Sequence, residues 1–158
     1  MKKYTTNKSI FLTSLVVIIL LIIFSLIDSD LSKYNIMIFD TKLFYSPGTF
    51  YDNRVLLDLY TPSSYFVFRV LDTVFPFTYG LLLYGLLARS KGSKLNYLPG
   101  IVVIIDIIEN IVIISIQFIS NTNSELVIYL LNAVTILKFS LIFVIVNILM
   151  LRLIKKFK

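Results

Sequence analysis

The chain has 158 residues and a mass of 18.2 kDa; 58% of its residues are apolar, 15% are charged, and its formal net charge is +6. A soluble domain is about 45–50% apolar and about 25% charged, so this composition excludes an ordinary soluble enzyme, a disordered chain and a typical nucleic-acid-binding module. The sequence contains neither Cys nor His, which excludes disulfides, thiolate chemistry and Ser-His catalysis.

Four apolar segments are long enough to form membrane-spanning helices, which need about 20 residues to cross about 30 Å of hydrocarbon. They cover residues 10–27, 66–88, 98–119 and 126–151. The first is longer than the apolar part of a cleaved signal peptide, and Asp28-Ser29-Asp30 follows it where a cleavage site would need small residues. We therefore predict an all-α, four-helix transmembrane bundle in which the whole chain, 1–158, forms a single domain and the first helix is retained.

Charged residues in the connections predict the orientation of this bundle. Ten basic residues lie at the two termini and in the middle connection: Lys2, Lys3, Lys8, Arg89, Lys91, Lys94, Arg152, Lys155, Lys156 and Lys158. The acidic residues lie in the other two connections: Asp28, Asp30, Asp40, Asp52, Asp58 and Glu125. Because Lys and Arg accumulate in cytoplasmic loops, both termini are predicted to be cytoplasmic. This orientation accounts for the positive net charge, so no nucleic-acid partner is needed to explain it.

The composition also suggests where the chain resides. It is rich in Tyr, Ile and Lys, which is typical of proteins from AT-rich bacterial genomes. We therefore predict a multi-pass protein of a bacterial cytoplasmic (inner) membrane, with the lipid bilayer as its principal partner.

The connection between the first two spans, residues 28–65, is predicted to be an outer loop that is partly helical. Its many aromatic residues distinguish it from a flexible linker. Ser46 is placed to cap a helix that begins at Pro47, and Thr61-Pro62 would end that helix. Two interpretations stay open: an amphipathic helix on the outer membrane surface, or a lid over a site in the bundle.

Polar residues inside the predicted spans are the most informative feature, because a charge at the centre of a spanning helix costs about 2.5–3.5 kcal/mol on insertion scales. Spacings of three and four residues place them on one face of each helix. The second span carries Arg69, Asp72 and Tyr79, the third carries Asp106, Glu109, Asn110 and Gln117, and the fourth carries Asn132 and Lys138.

The rise of 1.5 Å per residue gives approximate depths for these side chains. Glu109 and Lys138 both lie near the midplane, so the two can pair. Arg69 lies near the outer boundary, where it can pair with Asp72 or extend outwards. Three carboxylates then share one deep cation, and we expect at least one of them to be protonated.

These residues have two interpretations. In the first they form interhelical pairs that fix one packing arrangement. In the second they form a ligand-binding or proton-relay site, with no metal and no cofactor expected. The candidates for that site are Asp72, Asp106, Glu109, Asn110, Tyr79 and Lys138, with Arg69, Asn132 and Gln117 in a secondary role.

Two motifs carry a resemblance to a known family. Leu71-Asp72-Thr73-Val74-Phe75-Pro76-Phe77-Thr78-Tyr79-Gly80 is followed, after a short basic loop, by Ile105-Asp106-Ile107-Ile108-Glu109-Asn110. This pair resembles the Asp-x-x-Phe-Pro-x-x-Tyr-Gly and Asp-x-x-Glu-Asn helices of small, uncharacterised bacterial four-helix membrane proteins. The resemblance covers roughly residues 40–110 and implies the same architecture, without an activity. A weaker likeness, to the sterol-isomerase and sigma-2-receptor superfamily, is an analogy of buried carboxylates around a lipid-like ligand.

Three functions fit these observations. The first is binding of a lipid-like or small amphipathic ligand at the carboxylates; any enzymatic turnover there would be acid/base chemistry of the isomerase or hydrolase type. The second is a subunit for proton, ion or small-solute transport. The third is a structural or accessory protein that binds a membrane-protein partner, or a second copy of itself, through the outer loop.

Overall fold

A computed structural model of the chain describes residues 6–89, 95–119 and 124–157. Several basic residues that predict the orientation lie outside these ranges; they are Lys2, Lys3, Lys91, Lys94 and Lys158. The described part of the chain is helical and contains no β-strand.

Five α-helices follow one another along the described part of the chain. They are α1 (Asn7–Ser32), α2 (Pro47–Tyr60), α3 (Ser63–Arg89), α4 (Leu98–Ile114, extended by a π-helical turn, Ser115–Ile119) and α5 (Glu125–Phe157). Within the described residues, four of them are long and apolar enough to cross a membrane: α1, α3, α4 with its extension, and α5. The four predicted spans are therefore confirmed as helices, and the chain has the character of a multi-pass membrane protein.

Helix α4 lies between α3 and α5, and α1 packs along the other side of α3. Much of the apolar surface of α1 faces away from the protein, with Phe11, Ile22 and Leu26 between 56% and 71% exposed. Such a surface is costly in water and normal in lipid. Helices α3, α4 and α5 thus bury polar side chains inside the bundle, and all four long helices present apolar ones outwards.

The two ends of the bundle differ. At one end lie Lys8, Arg89 and Arg152, and we call this the basic end. At the other end lies the connecting segment, defined as residues 33–62, which joins α1 to α3 and contains α2. The side of the membrane on which each end lies stays a prediction.

The short helix predicted after Ser46 is present. Pro47 is its first residue and the Ser46 hydroxyl accepts a hydrogen bond from the Thr49 N–H at 3.1 Å, which caps the helix. Thr61 ends it in a left-handed conformation, with φ of 39°. A bend there lets the chain turn directly into α3.

The connecting segment does not simply lie across the end of the bundle. Its aromatic residues Phe39, Tyr45 and Phe50 are buried and stack on one another, with ring centroids 4.5 Å and 4.9 Å apart for the two closest pairs. They pack against Ile113 of α4 and Ile128 of α5. The segment is thus inserted between helix ends; part of its apolar surface packs on protein, and part of it, including Val55 and Leu59, is exposed.

Close packing of α3 on α4 depends on Gly80. A Cβ atom built at Gly80 would overlap Val103 Cγ2 on α4, whereas one built at Gly100 meets no atom within 4 Å. The close helix contact therefore requires a glycine at position 80, whereas position 100 has room for a side chain.

We predict that Gly80→Ala lowers the free energy of unfolding by about 1–3 kcal/mol, the usual cost of overpacking. Gly100→Ala is the matched control, because it adds the same methyl group to a glycine where space exists, and it should leave stability unchanged or raised. Thermal unfolding in detergent, followed by the near-ultraviolet circular dichroism of the tyrosines, measures both. Equal stability of the two variants would contradict this account of the helix contact.

Candidate functional site

The ammonium group of Lys138, on α5, is the centre of one buried cluster. Its Nζ atom lies 3.0 Å from Asp106 Oδ1 and 2.6 Å from Glu109 Oε2, both on α4. Tyr79 of α3 donates its hydroxyl hydrogen to Asp106 Oδ2 at 2.6 Å, and the Thr135 hydroxyl donates to Glu109 Oε1. The predicted Glu109–Lys138 pair is confirmed, and this cluster joins the three central helices.

The guanidinium group of Arg69, on α3, is the centre of a second buried cluster. Its Nη1 atom donates to Asp40 Oδ2 at 2.7 Å and lies 3.6 Å from Asp72 Oδ2. Its Nε and Nη2 atoms donate to the Tyr65 hydroxyl at 3.0 Å and 2.7 Å. Tyr65 in turn donates to Gln117 Oε1 at 2.5 Å. Arg69 therefore points inwards, and its closest carboxylate is Asp40 of the connecting segment.

The two clusters are linked through Asp72 and Asn110. The Asn110 Nδ2 atom donates to the backbone carbonyl of Asp72 at 3.3 Å, and Asn110 follows Glu109 directly on α4. Asp72 thus lies between the Arg69 cluster and the Lys138 cluster.

Two asparagines hold the irregular backbone of the connecting segment. Asn132 of α5 accepts from the Tyr45 N–H at 3.2 Å and donates to the Tyr45 carbonyl at 2.8 Å. Asn53 of α2 forms the same pair of bonds with Met37, at 2.6 Å and 3.2 Å. Asn132 lies seven residues into α5, about 10 Å below its start. Non-helical backbone at that depth needs such partners, because lipid provides none.

Burial affects the phenol of Tyr45 in the connecting segment. Removal from solvent raises the pKa of Tyr45, and the neighbouring carboxylates Asp40 and Glu109 act in the same direction. Tyr45 is therefore a neutral phenol at physiological pH.

Charges in the two clusters do not balance. Four carboxylates are buried, Asp40, Asp72, Asp106 and Glu109, against two buried cations, Arg69 and Lys138. Within the described ranges, no three of these acids are arranged so that they could hold a metal ion. The surplus is two negative charges if every group is ionised, and an unpaired buried charge is costly.

Several polar atoms of the Arg69 cluster and its neighbours are buried without a hydrogen-bond partner in the described part of the protein. Three are acceptor atoms: Asp40 Oδ1, Asp72 Oδ2 and Asn110 Oδ1. The Tyr45 hydroxyl and Gln117 Nε2 are likewise buried without a hydrogen-bond partner among the described residues. Because more than 90% of buried polar groups are normally paired, this concentration of unpaired atoms makes the cluster a candidate site.

The structure thus gathers the predicted site residues into one connected region. Lys138, Asp106, Glu109 and Tyr79 belong to the first cluster, and Arg69, Asp72 and Gln117 to the second. Asn110 joins the two, while Asn132 contacts the backbone of the connecting segment.

Sequence reasoning missed three participants outside the predicted spans, Asp40, Asn53 and Tyr65. The sequence pattern places Asp40 among the acids of the outer connections, but in the structure the residue is only 7% exposed. The apolar run Ile36-Met37-Ile38-Phe39 immediately before it was the available signal, since it indicates that this part of the connection packs against the bundle. Tyr65, at the start of α3, was missed as the second hydrogen-bond acceptor of Arg69.

Comparison of the chain with known protein families, curated proteins and solved structures finds no match. Any functional conclusion must therefore be argued from the geometry of these clusters.

We predict that Lys138→Met destabilises the protein by about 3–5 kcal/mol, because it leaves Asp106 and Glu109 buried without their cation. The triple variant Lys138→Met/Asp106→Asn/Glu109→Gln removes all three charges and should recover most of that loss. Thermal unfolding in detergent measures the difference. A single variant as stable as the unmodified protein would mean that the ammonium group does not hold the cluster together.

We also predict that Asn132→Ala loosens the connecting segment. The substitution leaves two backbone groups of Tyr45 unpaired, at about 1–3 kcal/mol for each buried group, so tryptic cleavage at Lys42 and Arg54 should accelerate about tenfold or more. Asn147→Ala is the matched control on the same helix, because Asn147 is exposed and bonds only to the carbonyl of Phe143, four residues earlier. Equal cleavage rates in both variants would contradict the anchoring role of Asn132.

Proposed function

We propose that this chain is an integral membrane protein that binds a lipid-like or small amphipathic molecule through its intramembrane carboxylates, with Asp72 as the principal contact. The ligand would carry a cationic or hydrogen-bond-donating head group. The observation that carries this proposal is the set of buried acceptor atoms without donors, namely Asp40 Oδ1, Asp72 Oδ2 and Asn110 Oδ1.

The pairing of the other carboxylates supports Asp72 over its neighbours. Asp106 and Glu109 each lie within 3.0 Å of the Lys138 ammonium group, so their charge is already compensated. Among the residues that the structure describes, the cation within 4 Å of Asp72 is the Arg69 guanidinium, at 3.6 Å, and Arg69 lies closer to Asp40. A positively charged head group would offset the surplus of negative charge at the point where it is least compensated.

We further propose that the protein resides in a bacterial cytoplasmic membrane with both termini in the cytoplasm. The distribution of basic residues in the sequence supports this orientation. The connecting segment would then cover the outer side of the site, and the ligand would reach Asp72 from within the bilayer.

Stabilisation by a simple amphiphile tests the proposal. Dodecylamine combines a cationic head with an apolar chain, and at about 100 times its Kd a ligand stabilises the folded state by about 2.7 kcal/mol. We expect it to raise the unfolding temperature of the unmodified protein, and to raise that of Asp72→Asn far less. Dodecanol, which lacks the charge, should have a smaller effect on the unmodified protein.

Asp58→Asn provides the matched control, because Asp58 is an exposed acid of the connecting segment. This variant should respond to dodecylamine as the unmodified protein does. An equal response of all three proteins would mean that the amine acts on the micelle or the surface, and it would overturn the assignment to Asp72.

The surplus of acids favours a second function, in which Asp72 holds a proton as part of a relay or a proton-coupled transport subunit. Difference infrared spectroscopy distinguishes this function, because a protonated carboxyl has its own carbonyl stretch. If that band is present at neutral pH, disappears in Asp72→Asn and is unaffected by dodecylamine, the proton-binding function replaces ligand binding.

A further inference from the structure

A second feature lies away from the carboxylates, on the outside of the α3–α4 contact near the basic end. It is a groove of about 340 Å³ that is open along one side. One wall is formed by Phe77, Leu81 and Tyr84 of α3, and the other by Tyr97 and Gly100 at the start of α4. Its floor is the contact between Gly80 and Val103.

The two ends of this groove differ in chemistry. Towards the middle of the bundle its walls are apolar, with Phe77 and Leu81 53% and 43% exposed. Towards the basic end it is lined by the phenols of Tyr84 and Tyr97 and by the amide of Asn96. The Asn96 Oδ1 atom is buried and has no hydrogen-bond partner among the described residues. An occupant therefore needs an apolar chain and a hydrogen-bonding head.

The charges near the polar end of the groove indicate which charge the head group of an occupant should carry. Arg89 ends α3 five residues after Tyr84, and Lys8 and Arg152 lie at the same end of the bundle. A basic residue near the membrane surface contributes about 1 kcal/mol to the attraction of anionic lipids. The groove at this end is thus suited to a negatively charged head group.

We propose that this groove is a binding site for an anionic phospholipid, with one acyl chain between α3 and α4 and the phosphate near Arg89. A head group with hydroxyls, such as that of phosphatidylglycerol, would also supply the donor that Asn96 Oδ1 lacks. This site is independent of the proposed function, because it shares no residue with the Arg69 and Lys138 clusters.

The absence of Trp from the sequence makes the site directly measurable. Tyr97→Trp places a single fluorophore in the groove wall, and Tyr84→Trp provides a second reporter on the opposite wall. Brominated lipids quench Trp only on contact. Each variant is reconstituted in bilayers of phosphatidylcholine that contain an equal share of either dibrominated phosphatidylglycerol or dibrominated phosphatidylcholine.

Three control variants make the result specific. Phe143→Trp places the fluorophore on the lipid-facing side of α5, where Phe143 is 70% exposed and lies outside the groove. Gly100→Leu fills the groove from a position at which an added Cβ meets no atom within 4 Å, so the variant should fold normally. Gly100→Ala serves as the smaller change at the same position.

We expect brominated phosphatidylglycerol to quench Tyr97→Trp with a binding constant at least about threefold that of brominated phosphatidylcholine. Phe143→Trp should show no preference, and Gly100→Leu combined with Tyr97→Trp should abolish the preference. Equal quenching by the two lipids at both groove reporters would overturn the proposal. So would a preference that survives Gly100→Leu, which would indicate surface attraction alone. Weak quenching by both lipids would indicate that protein covers the groove, and would overturn it as well.

Discussion

Arg69 places a permanent positive charge among membrane-spanning helices, because a guanidinium does not lose its proton in proteins. It therefore needs acceptors where it lies, and the nearest are Asp40 Oδ2 and the Tyr65 hydroxyl, both at 2.7 Å. Asp40 belongs to the connecting segment, so its close ion pair with Arg69 holds the segment inside the bundle. The aromatic stack of Phe39, Tyr45 and Phe50 then fills the space around the inserted chain.

The insertion also determines the character of the candidate site. By placing Asp40 beside Arg69, it adds a fourth acid to a region that holds two cations. Asp72 consequently shares the Arg69 guanidinium with Asp40, which lies closer to it. The charges of Asp106 and Glu109 are compensated by Lys138. The same charge arrangement that stabilises the inserted segment leaves Asp72 as the least compensated acid. Interhelical packing and the ligand binding that we propose would therefore be two uses of one set of buried charges.

Sequence alone predicts the parts of this structure that depend on local information. Length and apolar composition locate the four long helices, Ser46 and Pro47 locate the start of α2, and the rise per residue brings Glu109 level with Lys138. The contacts of the connecting segment were not predictable in this way. Asp40 and Arg69 are 29 residues apart, and Tyr45 and Asn132 are 87 residues apart. Periodicity assigns a side chain to a helix face, but it does not say which distant segment meets that face.

The bonds between Tyr45 and Asn132 have a consequence for how the protein is made. Synthesis proceeds from the N-terminus, and the residue that pairs with the Tyr45 backbone lies in α5, which leaves the ribosome after α3 and α4. The backbone groups of Tyr45 must therefore stay bonded to water until α5 is present. Only the arrival of α5 completes the hydrogen bonds of the connecting segment. A chain truncated before α5 would retain α1, α3 and α4, but its connecting segment would lack the bonds to Asn132.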